Sequence, residues 1–147
     1  MEGVNYKPYS IPDAGIKFEY PAWWQHSIEM GKTSLFCDEQ AGTFRITPFF
    51  GVYDEEHFLQ NKFDVYKKNG MNPALKTFNN QVYLYNEEDF EIDNTRYHYY
   101  MTTAPKLIVI CSFYYDKNLL ENEKSKNKVL SAIREVEHLL SGLTIGN

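Results

Sequence analysis

Residues Gln81 to Asp116, QVYLYNEEDFEIDNTRYHYYMTTAPKLIVICSFYYD, decide the fold. Tyr83 and Tyr85 alternate with Val82 and Leu84, and Tyr97 and Tyr99 alternate with His98. A period of two is that of a strand, whose side chains point to opposite faces in turn. Asp93-Asn94 and Ala104-Pro105 interrupt the pattern as turns, since Asn tolerates the left-handed backbone of a tight hairpin. Leu107 to Tyr115 is apolar at every position except Ser112, which marks a central strand covered from both sides. Upstream, Asn79-Asn80 joins Ala74–Phe78 to a strand that starts at Gln81 and extends toward Ile92. The stretch therefore predicts a β-meander, closed by strands over 95–103 and 106–116.

Two helices flank it. Asp54 is placed as an N-cap, Glu55 and Glu56 sit at the positive end of the dipole, and Leu59, Phe63 and Tyr66 form a stripe. Lys67 and Lys68 suit the last turn, and Asn69-Gly70 stops the helix. The second helix begins at Leu119 or Ser125 and ends at Ser141, with Val129, Ile133, Val136 and Leu140 on one face and Gly142 at the C-cap site. Before the first helix, strands are expected at 16–20, 27–30, 33–38 and 42–50, with Trp23 and Trp24 in a turn. Residues 1–15, with Pro8, Pro12 and Gly15, form an extended N-terminal arm, and 16–147 a single α+β domain. The expected fold class is α+β, an antiparallel sheet sandwiched by two amphipathic helices.

Composition narrows the function. The chain has 147 residues, 43% hydrophobic and 24% charged, which suits one globular domain. Its net charge is −5, and its densest basic run, Lys124, Lys126 and Lys128, is interleaved with Glu121 and Glu123 nearby. Neither nucleic acid nor an anionic membrane surface is an expected partner. The start shows no basic segment followed by an apolar run, and the longest apolar run is far too short to span a bilayer. Cys37 and Cys111 each fall within a strand, which points to free, reduced thiols and a cytoplasmic setting.

Catalytic signatures are scarce. His26, His57, His98 and His138 have no second ligand at zinc spacing, so no metal or other cofactor is expected. Glu87-Glu88-Asp89 lacks the glycine bend of a calcium loop. No phosphate-binding loop, dinucleotide fingerprint or nucleophile elbow is present. Cys111 and His98 form the one nucleophile–base pairing to weigh, and Cys111 alternates with Val109 and Phe113 as a core residue does.

What stands out is aromatic. Tyr and Phe number 12 and 10, and Tyr83, Tyr85, Tyr97 and Tyr99 fall on neighbouring strands within cross-strand reach, beside Glu87, Glu88 and Asp89. These seven residues are the candidate partner-binding site, either an exposed strip or a ladder packed under a helix.

The segment Phe18-Glu19-Tyr20-Pro21-Ala22-Trp23-Trp24 resembles the strand-and-turn opening of the PsbP-like, Mog-type α/β/α sandwich family. Ile133 through Ser141-Gly142-Leu143 resembles that family's final helix, and the similarity runs over nearly the whole chain from Ile16, most of all to an uncharacterised bacterial branch. The resemblance implies a non-enzymatic adaptor, since relatives assist photosystem assembly or bind a small GTPase. It carries over no functional residue. The expected function is a protein-interaction module that engages a protein partner through its aromatic and acidic sheet surface. The alternatives are a small-molecule or ion-binding domain and, behind it, a hydrolase using Cys111 or His98.

Overall fold

Asn79 and Asn80 adopt left-handed φ values of 53° and 64° and close a two-residue hairpin between β6 (Ala74–Phe78) and β7 (Gln81–Phe90). A turn with Asn94 at φ 55° leads into β8 (Thr95–Ala104), and one at Pro105-Lys106 into β9 (Leu107–Asp116). That last turn sits one residue later than expected. Proline is locked near φ −65°, so the left-handed position falls to Lys106, at φ 59°. The computed structural model describes residues 5–51 and 54–146.

Ahead of the meander come β1 (Tyr6–Ile11), β2 (Ile16–Pro21), β3 (Gln25–Glu29), β4 (Thr33–Asp38), β5 (Gly42–Phe50) and α1 (Glu55–Lys68); after it come α2 (Glu123–Gly142) and β10 (Thr144–Ile145). Seven strands form one antiparallel sheet in the order β3-β4-β5-β9-β8-β7-β6, which puts β9 in the centre. A smaller sheet has the order β1-β2-β10. Within the N-terminal arm, Tyr6 to Ile11 is a strand paired along the whole of β2, and Pro12–Ala14 form a short 3-10 helix. Its residues 1–4, and Asn147 of the domain, lie outside the described residues.

Both helix ends differ from expectation. Asp54 precedes α1 but its side chain caps no backbone N–H; it is turned to His57 Nδ1 at 2.7 Å instead. The working cap belongs to α2, where the Asn122 side-chain Oδ1 accepts from the backbone N–H of Lys124 at 2.8 Å and of Ser125 at 3.3 Å. Gly142 is the last helical residue, and Leu143 caps the helix in extended backbone.

The helices meet different faces. Strand register aligns Leu84, Met101 and Ile110 on one face, where Phe58, Leu59, Phe63 and Tyr66 of α1 pack on them. Tyr83, Tyr85, Tyr100, Val109 and Cys111 point the other way, into a core shared with Val129, Ala132, Val136, Leu139 and Leu140 of α2. Ile16, Phe18 and Tyr20 of the small sheet close the rest of that face over Phe36 and Phe44. Coverage is thus unequal. The α2 face lies under a helix and a second sheet, whereas α1 packs on β7 and β8. Toward β3 the α1 face carries no further helix among the described residues.

Candidate functional site

Arg45 on β5, Ser112 and Tyr114 on β9, and Tyr97 and Tyr99 on β8 fall in neighbouring cross-strand positions on this uncovered half. The Tyr97 ring stacks on Tyr114 at 4.8 Å and on Tyr99 at 5.5 Å, and Phe90 meets it edge-on at 5.1 Å. Tyr99 leans against the α1 cluster, and its hydroxyl is pushed up to about 12 by burial and by the Glu88 carboxylate. Arg45 stands at the floor of the strip with its guanidinium 2.6 Å from Glu29. Phe90, Tyr97, Tyr99 and Arg45 border a shallow hollow of about 480 Å³, rimmed by Glu91, Ile92 and Asp93 at the β7–β8 turn. Ile92 is fully exposed there.

Sequence reasoning named seven residues as one surface, and the register divides them. Tyr85 pairs with Tyr100, and Glu88 with Tyr97. Tyr97, Tyr99 and Glu88 therefore share the open face. Tyr83 and Tyr85 lie on the α2 face, so they are not cross-strand neighbours of Tyr97 and Tyr99. Tyr83 is 0% exposed, in the core. The acidic run also splits. Glu87 points with Tyr85, while Asp89 borders the hollow and is held by Arg96 at 2.8 Å and Lys117 at 3.4 Å, which keeps its carboxyl below the usual range. Phe90, Ile92, Tyr114 and Arg45 lie outside those seven, although Tyr114 belongs to the same run of strand tyrosines in the sequence. The two-residue turn before β9 carried the signal for Tyr114, since it fixes Tyr97 opposite it.

Beneath α2 lies a polar chain. His98 is buried, with Nδ1 at 2.7 Å from the Tyr85 hydroxyl and Nε2 at 2.8 Å from the Tyr115 hydroxyl. Tyr85 in turn donates to Glu87 Oε2 at 2.7 Å. Next to it, Glu137 of α2 accepts from the Tyr100 hydroxyl at 2.9 Å and from Lys76 Nζ at 3.2 Å. Lys76 also rides 4.0 Å over the Tyr85 ring. His98 is committed to two tyrosines, so the Cys111–His98 pairing is not formed. Burial drives the Cys111 thiol far above its ordinary range, so its nucleophilic thiolate is suppressed. Cys37 points to the open face and Cys111 to the α2 core, so the two thiols stay free. No helix among the described residues is long and apolar enough to cross a membrane.

No family model and no curated protein matches the chain. Solved structures do. A protein of Bacteroides thetaiotaomicron VPI-5482 superposes with a TM-score of 0.72 at 20% identity, covering 96% of this chain and 48% of the other. The chain thus spans about half the length of that protein. Cyanobacterial PsbP (CyanoP) of Synechocystis sp. PCC 6803 gives 0.59 at 14% identity over 99% and 95%. LpqN, described as involved in cell envelope biogenesis of Mycobacterium tuberculosis, gives 0.55 at 12% identity over 99% and 93%. Similarity at this identity speaks to fold: the chain has a PsbP-like α+β fold, two helices with a large antiparallel sheet.

Proposed function

We propose that this chain is a protein-interaction module, an adaptor rather than an enzyme, whose docking face is the open half of the α1 side. One observation carries the reading: the stack of Phe90, Tyr97, Tyr99 and Tyr114 beside the fully exposed Ile92, which runs from the edge of the α1 cluster, at Tyr99, onto the part of the sheet beyond it. Tyr and Arg dominate the energetic centres of protein interfaces, and here Arg45 lies among tyrosines. The rings also argue against a sugar or a base as ligand. Stacked on one another, the Tyr97, Tyr99 and Tyr114 rings already use ring faces that such ligands would need. Asp89, Glu91 and Asp93 rim the hollow and favour a partner with basic residues at its periphery.

The closed hydrogen bonding of His98 and the suppressed Cys111 thiol favour binding over hydrolysis. The Mog-type sandwich is the arrangement we infer for the two helices, supported by their packing on opposite residue sets of one sheet. Membership of an uncharacterised bacterial branch fits the Bacteroides structure. A reducing, cytoplasmic setting accords with free Cys37 and Cys111.

The test is a photo-crosslinking amino acid at position 92, irradiated in lysate of the source cells. A discrete protein adduct is expected, lost on adding Phe90→Ser and Tyr97→Ser and retained with Lys126→Glu on the opposite side. An adduct indifferent to the ring substitutions, or none at all, would remove this face from the function.

A further inference from the structure

The hollow beside the tyrosine stack joins two kinds of surface. Phe90 and Ile92 expose apolar side chains there, and Asp89, Glu91 and Asp93 bring carboxylates to the same rim. Most of the charge around it is already paired. Arg45 holds Glu29 at 2.6 Å. Asp89 takes Arg96 at 2.8 Å and Lys117 at 3.4 Å, and Lys117 also lies 3.8 Å from the exposed Glu91. Asp93 accepts from Thr95 Oγ1 through its backbone carbonyl at 3.2 Å, while its carboxylate forms no ion pair with a described residue. Four carboxylates thus meet three cations, and one negative charge is left over at the β7–β8 turn.

That surplus lies close to the rings. The Tyr97 hydroxyl is raised by burial first, with Tyr114 adding to it, Arg45 opposing and Asp93 adding again. Arg45 on β5 and Asp93 in the turn therefore act on one hydroxyl from opposite signs. A cation entering the hollow is repelled least at the turn end. A bare metal ion is a poor match, since calcium takes about six to eight oxygen ligands. The described residues bring no three metal-ligating side chains together. A charge carried on an aliphatic stem suits both surfaces at once, its methylenes covering apolar side chains and its head reaching the carboxylates. Between the two basic side chains, arginine fits better. Its guanidinium is planar, more weakly hydrated than an ammonium, and forked toward carboxylate oxygens.

We propose that the hollow is a subsite for one arginine side chain of the protein partner, with its guanidinium at Asp93 and Glu91 and its stem on Phe90 and Ile92. The subsite specifies the partner chemistry of the docking face, so it rests on the function proposed above. It is narrower than a preference for basic partners. One surplus charge accepts one cation, and the apolar walls require a stem behind it.

An NMR titration of the isolated chain with Nα-acetyl-arginine amide tests the subsite, at low ionic strength where exposed charges are least screened. The Ile92 methyl and Tyr97 ring resonances should shift together and saturate, with a dissociation constant of about 1–10 mM for so small a probe. Nα-acetyl-citrulline amide has nearly the same shape and no charge, and should bind about fivefold more weakly or worse. Glu91→Gln with Asp93→Asn should weaken the arginine probe by a similar factor and erase its advantage over citrulline. Both side chains belong to an exposed turn, and unchanged amide resonances elsewhere will verify the fold of the variant. Glu56→Gln, at the end of the sheet where α1 starts beside Lys106, should alter nothing. Equal binding of the two probes, indifference to the paired substitution, or no saturation at about tenfold higher concentration overturns the subsite. A crosslinked adduct at position 92 without an arginine response would strike the subsite and leave the docking face standing. An arginine response without an adduct would keep an arginine-binding hollow and remove protein docking.

Discussion

Tyr83 and Tyr100 lie on adjacent strands of the same face, are both 0% exposed, and differ in one bond. The Tyr100 hydroxyl donates to Glu137, whereas the Tyr83 hydroxyl has no protein partner among the described residues. A buried hydroxyl without a partner costs roughly 1–3 kcal/mol, and a made bond contributes about 1. Tyr100→Phe should therefore lower the urea midpoint, and Tyr83→Phe should leave it unchanged or raise it. The same logic separates the cysteines. Half-buried Cys37 should react with a thiol reagent in the native protein, and fully buried Cys111 only as the chain unfolds, which a two-phase labelling time course would show.

Among the elements, the two helix starts make opposite forecasts. Asn122 caps α2 with two backbone bonds, so Asn122→Ala should cost about 1 kcal/mol in denaturant unfolding. Asp54 makes no such bond, and Asp54→Ala should shift the same measurement far less. Composition at the two sites looks equally favourable; only the direction of the side chain tells them apart. Gly42 at the start of β5 is a third case. A Cβ there would run into the Tyr114 carbonyl and the Phe113 ring, so Gly42→Ala should destabilise by about 1–3 kcal/mol through overpacking.

At the scale of the molecule, pH couples to folding through opposing groups. His98 is depressed in the folded state, so the unfolded chain takes up its proton first on acidification. The stability it contributes is complete above about pH 6.5, the unfolded value, and is lost as pH falls from there toward the folded value. Asp89 is also depressed, but its contribution goes only lower, below about pH 4. Exposed His57, raised by Asp54, acts in the opposite sense and weakly. Urea midpoints between pH 7.5 and 4.5 should thus decline in the parent and decline less in His98→Asn. Equal slopes would show that His98 does not carry the acid sensitivity.

Much of this was legible in the chain. Period-two alternation and the Asn79-Asn80 turn located the meander to within a residue or two, and the apolar run from Leu107, broken only at Ser112, identified the central strand, because both are local consequences of the strand pleat and of left-handed backbone. The candidate site was legible only by halves. That Tyr97 and Tyr99 share a face follows from alternation along one strand, whereas their separation from Tyr83 and Tyr85 depends on inter-strand register, which a shift of one residue inverts. Which aromatic face stays open is a further matter of long-range packing: the small sheet and α2 close one side, while a 14-residue α1 reaches over only part of the other. No neighbour-by-neighbour pattern encodes that asymmetry, since it arises from segments far apart in the chain competing for the same apolar surface.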